Sequence, residues 1–330
     1  MYGIMTIKLK RDLTVYMSTV DAAHTVDNTF KLNVKDISFS GGDSTTKTAY
    51  NYTLDNDYRN RSYTYTGKKE ITVKLTTYSR FGFTSECTIQ DNLLFESLTG
   101  KTVVNTANNT SIENVDTKSL PELYIYLDFG NDIYLVNYAV VKSARMQIDI
   151  RDYFNIEWTL IAKSFDKIST LPALFTNLTS LQNYIKAKLS ILDIEENPSL
   201  TTTYNIPITT ATLTMENSIS VPIYESPSYD ENEIGDPYNK ERYSRLNLRM
   251  YKNEAVYDFI TSLDRTQIDA GYNVTLYIGG KTAPNIVVNM PKGLIVKPKM
   301  LLDDVLTDEL DIYARKHTND NDDITIIYNI

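Results

Sequence analysis

Residues that commonly catalyse reactions or bind metals are rare in this chain of 330 residues. It contains two histidines, His24 and His317, and one cysteine, Cys87. A zinc site needs several His and Cys ligands, and a nucleophilic cysteine needs a histidine beside it. We therefore expect ordinary surface histidines, a buried thiol, no metal and no cofactor.

The carboxylates are numerous, but their spacing fits no reaction and no cation. The acidic runs at 303–304 and 320–323 lack the twelve-residue spacing of a calcium loop. None of the 42 acidic residues stands out as part of a glycosidase pair. The glycine pairs at 41–42 and 279–280 are typical of turns. The sequence thus predicts no catalytic residues and no enzyme. It favours a structural protein that associates with its own copies, or a binding module.

Composition restricts the class further. The net charge is −9, and Lys8, Lys10 and Arg11 form the one tight basic group, so binding to nucleic acid phosphates is disfavoured. No apolar run approaches the ~20 residues that span a bilayer, so no membrane partner is expected. No signal peptide is visible at residues 1–10. The 25 tyrosines, against one tryptophan, suit half-buried strands and wet interfaces.

The order of predicted elements is repeated along the chain. Each copy has an alternating strand, a long polar segment, a second strand and a short amphipathic helix. The ranges are 30–39, 40–69, 71–78 and 91–98 in the first copy, and 204–215, 216–242, 246–251 and 255–263 in the second. Each copy then closes with a hairpin and a last strand. A repeated order of secondary-structure elements indicates two similar domains.

Alternation with a period of two indicates strands with one buried face and one wet face. In residues 144–150, Met146, Ile148 and Ile150 alternate with polar residues. We therefore predict a mainly β protein with two tandem β-sandwich or β-barrel domains, each with a short flanking α-helix. The predicted boundaries are 1–165 for the first domain, 166–183 for a linker and 184–330 for the second domain.

Four segments carry a resemblance by their order. They are Leu9–Val20 followed by His24, then Ile89–Leu98, then Val141–Ile150 with Trp158, and finally Tyr184–Leu192 followed by 204–209. Together they resemble the major tail tube protein of siphophages related to coliphage T-five, over about residues 7–315. Gln90 stands where that family has a proline before its first helix, which leaves the first helical turn less fixed.

The resemblance implies a duplicated tail-tube domain. Three subunits would close a trimeric ring of six-fold appearance, and stacked rings would form the tube through which DNA leaves the capsid. The implied partners are other copies of the chain, the tape-measure protein and genomic DNA held in the lumen without specific binding, and tail-tip and terminator proteins. The implied location is the virion tail, after synthesis in the host cytoplasm. No immunoglobulin-like domain, as some relatives carry, is expected after the second copy.

Combined with the alternation, the resemblance assigns two sets of residues. The wet face of the long strands is expected to line an acidic lumen that repels DNA, and the candidates are Asp36, Gln147, Asp149, Glu157, Asp308 and Asp311. Both polar segments are expected to contact the next ring, because loops of this length are usually functional. The candidates are Tyr50, Tyr52, Tyr58, Tyr63, Tyr65, Tyr229 and Tyr238.

Two alternatives to a tail tube remain open at this point. One is a two-domain β-sandwich protein with a binding role of unknown kind. The other is a carbohydrate-binding or adaptor component of a phage baseplate or tail tip, which the tyrosine content favours.

Overall fold

A computed structural model gives the structure of the chain. It describes residues 13–25, 28–41, 45–50, 62–67, 71–83, 86–115, 117, 119–130, 132–178, 181, 183–196, 203–220, 223–224, 233–234, 238–251, 254–262, 271–302, 306–315 and 323–330.

Strands dominate the fold. The strands of the first half are β1 Thr14–Ser18, β2 Thr29–Leu32, β3 Val34–Gly41, β4 Thr45–Tyr50, β5 Ser62–Gly67, β6 Ile71–Tyr78, β7 Arg80–Phe83, β8 Cys87–Ile89, β9 Val104–Asn105, β10 Asn109–Glu113, β11 Leu123–Asp128, β12 Ile133–Asp149, β13 Asn155–Ala162 and β14 Ser164–Ile168. Those of the second half are β15 Asn183–Tyr184, β16 Ile191–Glu196, β17 Thr203–Ser220, β18 Ile223–Tyr224, β19 Glu233–Ile234, β20 Tyr238–Tyr251, β21 Tyr272–Ile278, β22 Asn285–Leu302, β23 Leu306–Ala314 and β24 Thr325–Asn329. The helices are α1 Asn92–Thr99, α2 Glu254–Ser262 and a 3-10 helix, Ala173–Asn177.

The strands of the first half form a closed antiparallel circuit. β1 pairs with β11, β11 with β12, β12 with β13, β13 with β6, and β6 with β3. Only Asn33 separates β3 from β2, and β2 pairs back with β1. The result is a first barrel in which strands bend from one neighbour to another.

The strands of the second half repeat this circuit in the same order. β16 pairs with β21, β21 with β22, β22 with β23, β23 with β20, β20 with β17, and β17 with β16. Each barrel also has a short helix at the same place in the repeat. The helix α1 follows β6, which pairs with β3, and α2 follows β20, which pairs with β17. The predicted fold class, mainly β with two tandem barrel domains and short flanking helices, is confirmed.

The two barrels share one continuous sheet. The second half of β12 pairs with β17, with Ser143 opposite Glu216 and Asp149 opposite Thr210. The last strand, β24, ties them together a second time, because it pairs with β10 of the first half and β22 of the second. The domain boundaries stay a prediction. The segment 166–183 nevertheless contains most of β14, which pairs with β12, and Phe175, which is fully buried.

The helix α1 begins and ends where the sequence indicates. Its apolar residues Leu94, Phe95 and Leu98 are fully buried against the first barrel, as the four-residue spacing predicts. Gly100 ends the helix in the left-handed conformation, with φ of 72°, and its N–H donates to the carbonyl of Glu96. A glycine is favoured there because a side chain disfavours positive φ.

Both polar segments contain hairpins. In the first segment β4 pairs with β5, and in the second β18 pairs with β19 beyond the ends of β17 and β20. The hairpins occupy equivalent places in the repeat, between β3 and β6 and between β17 and β20. The second segment is shorter than predicted, because residues 216–220 and 238–242 belong to the paired strands β17 and β20.

Candidate functional site

The central feature of the molecule is the sheet that runs through both barrels. We define the shared sheet as strands β3, β6, β13, β12, β17, β20 and β23, in that spatial order. One face carries the buried residues of both cores, such as Leu75, Trp158, Ala144 and Met215, which lie opposite one another on neighbouring strands. We call the opposite face the outer face.

Polar residues form continuous rows across the outer face. One row runs across the strands as Asp36, Thr76, Glu157, Arg145, Thr214 and Arg245. The next row runs as Asn155, Gln147, Thr212, Asn247 and Asp311. A third runs as Asp149, Thr210, Arg249 and Glu309. Because the rows cross the junction of β12 and β17, the outer face is one surface built by both barrels.

Five of the six predicted lumen residues lie on this outer face. They are Asp36, Gln147, Asp149, Glu157 and Asp311. Asp308 is a correction to the predicted wet-face set. It lies opposite the buried Met250 on the core face of β23 and is 4% exposed. Alternation explains the difference, because two residues three positions apart in a strand point to opposite faces.

The outer face carries charges of both signs. Across its rows it has carboxylates at Asp36, Asp149, Glu157, Glu216, Glu309 and Asp311, and cations at Lys74, Arg145, Arg245 and Arg249. Arg245 binds Asp311 at 2.8 Å, Arg145 lies 3.8 Å from Glu157, and Arg151, just beyond β12, binds Asp149 at 3.0 Å. The hydrogen bond from Arg151 holds the pKa of Asp149 below its usual value. The outer face is therefore slightly acidic, and three of its six carboxylates form these ion pairs, so it is less acidic than the sequence predicted.

The outer face contains two shallow polar grooves. One, of about 310 Å³, lies over β3, β6 and β13, with Asp36, Lys74 and Glu157 in its lining. The other, of about 280 Å³, lies over the barrel junction, with Arg145, Arg245 and Glu309. Within the described residues, no group of three or more His, Cys, Asp or Glu side chains could hold a metal.

Cys87 and His24 have structural surroundings. Cys87 is buried, its thiol accepts a hydrogen bond from Thr110, and burial raises its pKa. His24 is half-buried, with its ring nitrogens 3.0 Å from the Ser18 hydroxyl and 3.3 Å from the Tyr126 hydroxyl. Burial lowers the pKa of His24. His317 lies outside the described residues.

The shared sheet has two distinct ends. At one end Gly41 lies opposite Ile71 and Ser220 lies opposite Tyr238, and both hairpins leave the sheet there. We call this the hairpin end. Of the predicted contact tyrosines, Tyr50 ends β4, Tyr63 and Tyr65 belong to β5, and Tyr238 begins β20. Tyr52, Tyr58 and Tyr229 lie outside the described residues.

The opposite end carries a cluster that the sequence did not reveal. The rings of Tyr78 and Tyr153 are 6.5 Å apart, and those of Tyr153 and Tyr184 are 4.4 Å apart. Three cations lie over these rings, namely Lys35 over Tyr78, Lys186 over Tyr153 and Arg80 over Tyr184. We call these six residues the tyrosine–cation patch. They come from four separate stretches of the chain, so no local motif marks them.

A buried polar cluster lies beneath the sheet, at the start of α1. Asp91 is fully buried, and burial raises the pKa of its carboxyl group to about 7. The side chains of Thr77, Ser79 and Gln90 lie close enough to lower this pKa in part, although neither carboxylate oxygen meets a described donor in good hydrogen-bond geometry. The hydroxyl of Tyr328, on β24, lies 2.7 Å from that of Ser79.

The geometry describes a double barrel in which one sheet face presents polar residues from both barrels. No protein-family profile matches the chain. The chain is 24% identical, over 239 aligned residues, to the tail tube protein pb6 of Escherichia phage T5, and the alignment covers 66% of this chain and 51% of that protein. The chain therefore spans about half the length of this curated relative. The similarity supports a tail tube relationship. Among the described residues, neither helix has the length and apolar character needed to cross a membrane.

Proposed function

We propose that this protein is a structural subunit of a phage tail tube and is located in the tail of the virion. The similarity to the tail tube protein pb6 supports this role. The shared sheet is the observation that carries it. Its edge strand β3, the strand β22 beside β23 and its polar outer face suit a subunit that joins its own copies side by side. The proposed domains are residues 1–165 and 184–330, joined by 166–183.

Strand edges support closure into a ring. Inside the chain, the second half of β12 pairs with β17 of the other barrel. The equivalent strands in the repeat are β22 and β3. β3 pairs with β6 on one side, and the second half of β22 pairs with β23 on one side. On their other sides, neither pairs with another strand among the described residues. Because a free edge is a template for another strand, we infer that β22 of one copy pairs with β3 of the next.

The repeat also predicts the register of this pairing. The two barrels can be aligned residue by residue at a bulge that both contain. It lies between Val34 and Asp36 in the first barrel and between Ile208 and Thr210 in the second. Arg145 lies opposite Thr214 at the junction inside the chain. The equivalent positions are Lys299 and Ser40. Lys299 of one copy is therefore expected opposite Ser40 of its neighbour.

Three copies joined in this way form a ring of six barrels with six-fold appearance. In such a ring the outer faces of the shared sheets form a continuous inner wall, and DNA and the tape-measure protein pass along it without specific binding. The near balance of charges on the outer face suits this role, because a strongly cationic wall would hold the phosphates. Rings stack head to tail, since both hairpins leave the subunit at one end. Tail-tip and terminator proteins would cover the two ends of the stack.

Negative-stain electron microscopy of the purified protein tests the proposal. We expect rings with three-fold symmetry and six similar lobes, or hollow tubes built from them. Hydrogen exchange tests the ring contact in the same sample. The amides of 34–41 and 294–302 should exchange more slowly in the assembly than in the free chain. The amides of 143–149 are the internal control, because their partner strand is already present. Compact monomers at all concentrations and salt levels would refute the tube and favour a binding module.

A further inference from the structure

The tyrosine–cation patch is an interaction surface at the end of the sheet opposite the hairpins. Tyr78 ends β6, Tyr153 lies between β12 and β13, and Lys35 lies at the start of β3, beside the edge that the proposed ring contact uses. Tyr184 is 44% exposed, and Lys35 and Lys186 are also exposed. Among the described residues, no carboxylate forms an ion pair with Lys35, Arg80 or Lys186. The patch therefore presents cations and tyrosine rings to whatever approaches this end of the sheet.

The local charge of the patch favours an acidic partner. Three carboxylates adjoin the patch. Asp36 follows Lys35, Asp149 is bound to Arg151, and the exposed Asp152 accepts the N–H of Tyr153. The three cations of the patch and Arg151 outnumber these three carboxylates. Tyrosine hydroxyls and ammonium groups donate hydrogen bonds to carboxylates, and such charge-assisted bonds are the stronger kind.

The chain itself contains a matching acidic segment at the other end of the sheet. We call the segment 221–237, which contains the paired strands β18 and β19, the second hairpin. Its sequence has no Lys or Arg and five acidic residues, which are Glu225, Asp230, Glu231, Glu233 and Asp236. The first hairpin differs, because its central residues 51–61 hold two acidic and two basic residues. Charge complementarity therefore selects the second hairpin.

We propose that the acidic second hairpin of one copy docks on the tyrosine–cation patch of a copy in the next ring. This contact rests on the proposed stacking of rings and also specifies how far one ring is rotated relative to the next. The patch belongs to the first barrel, whereas the hairpin belongs to the second. Successive rings are therefore offset so that a second barrel stands over a first barrel. Because the barrels alternate around the ring, the same contact repeats three times per ring.

The length of the sheet disfavours the same contact within one chain. Thr210 of β17 lies opposite Asp149 near the patch, whereas β17 ends at Ser220 at the hairpin end. The ten positions from 210 to 220 span about 33 Å at ~3.3 Å per residue. The partner of the patch is a second copy of the chain.

Disulfide trapping tests the contact. A chain with Lys186→Cys is mixed with a chain with Asn232→Cys before assembly and is then oxidised mildly. We expect a cross-linked pair of one chain of each kind, and a lower yield when Lys35→Glu is added to the first chain. Each variant alone controls for the native Cys87, which is buried. Lys74→Cys, at the centre of the outer face, should not cross-link to Asn232→Cys.

Asp55→Cys in the first hairpin is the matched control for the offset, and it should not cross-link to Lys186→Cys. Tubes that form without the Asn232 cross-link would overturn the contact but leave the tube function intact. Cross-links to Asp55→Cys in place of Asn232→Cys would overturn the offset. Cross-linked pairs in a protein that never forms tubes would support the contact and refute the tube. Neither tubes nor cross-links would refute both.

Discussion

The hydroxyl groups of Tyr328 and Ser79 lie 2.7 Å apart, although 249 positions separate the two residues in the sequence. Ser79 follows β6 in the first barrel, whereas Tyr328 lies on the last strand. Both side chains are buried. Through this bond and the pairing of β24 with β10, the end of the chain completes the core of the first barrel.

Tyr328→Phe is expected to destabilise the protein, because it leaves the buried Ser79 hydroxyl without this partner. The expected loss in the free energy of unfolding is about 1–3 kcal/mol. Urea unfolding followed by tryptophan fluorescence measures it, since Trp158 is buried in the same barrel. Tyr328→Phe combined with Ser79→Ala should cost less than the sum of the single changes. Additive losses would show that the two hydroxyls do not interact.

Asp91 is expected to make stability depend on pH. Burial raises the pKa of its carboxyl group from an ordinary value of 3.8 to about 7 in the folded state. Between these values the folded protein retains a proton that the unfolded chain has released. The free energy of unfolding therefore falls as pH rises through this window, by up to about 1.4 kcal/mol per pH unit. Above pH 7 both states are ionised, and this contribution stays constant.

Asp91→Asn should remove most of this slope and raise stability at pH 8, because an amide needs no ionisation in the buried site. Unfolding in urea at pH 5, 6, 7 and 8 measures the effect. The exposed Asp152→Asn is the control and should follow the wild type. An unchanged slope in Asp91→Asn would assign the pH dependence to other groups.

Arg242 connects the second barrel to the helix of the first. From β20 its guanidinium donates to the carbonyls of Leu98, Thr99 and Val115, each at 2.9 Å, and to the side-chain oxygen of Asn217 at 2.7 Å. The last carbonyls of a helix have no partner within the helix. Arg242 therefore satisfies the end of α1 from the other barrel.

Arg242→Met should destabilise the protein by roughly 1.5–3 kcal/mol, because it removes hydrogen bonds from a charged donor. The carbonyls of Leu98, Thr99 and Val115 each keep a second donor, which limits the loss. Arg242→Lys should recover only part of the loss, since an ammonium group lacks the planar fork of the guanidinium. Thermal unfolding and hydrogen exchange of the α1 amides measure both effects. Arg151→Lys on the surface is the matched control. Equal stability of the wild type and Arg242→Met would refute this bridging role.

Local alternation predicted the strands well, but it did not predict which strands meet. The segment 71–78 is a strand as expected, because its apolar residues repeat every second position. The strand β10 was missed, because its sequence NTSIE is mostly polar and gains its place from pairing with β24. The pairing of β12 with β17 depends on contacts between the barrels, which no local pattern records.

The outer face could be predicted by counting parity along a strand. This rule places Asp311 on that face and excludes Asp308, so the error at Asp308 came from treating all acids of one strand alike. The tyrosine–cation patch could not be predicted from the sequence. Tyr78 and Tyr184 are far apart in the chain, and only the paired ends of the strands bring them near Tyr153.

The first hairpin is expected to act in stacking without supporting the fold. Replacing 42–67 with a short Gly-Ser turn should keep the first barrel, because β3 and β6 still pair from Gly41 and Ile71 onwards. The variant should show wild-type circular dichroism but form single rings or short tubes in electron micrographs. The matched variant replaces 221–237 in the second hairpin. A folded variant that still builds tubes of normal length would refute the stacking role of the hairpin it lacks.

The charge of the outer face is expected to control DNA passage through an assembled tube. Asp36→Lys with Asp149→Lys converts two carboxylates to cations and makes this slightly acidic face cationic. A cationic wall attracts phosphates and releases their counterions, so DNA ejection from phage with this tube should become slower, and raising the salt concentration should restore it. The control replaces Asp152 and Asp258 with lysine in the same way. Both are exposed and lie outside the rows of the outer face. The measurement of ejection is the release of dye-accessible DNA from phage with intact tails. Unchanged ejection in the double variant would place the outer face away from the lumen.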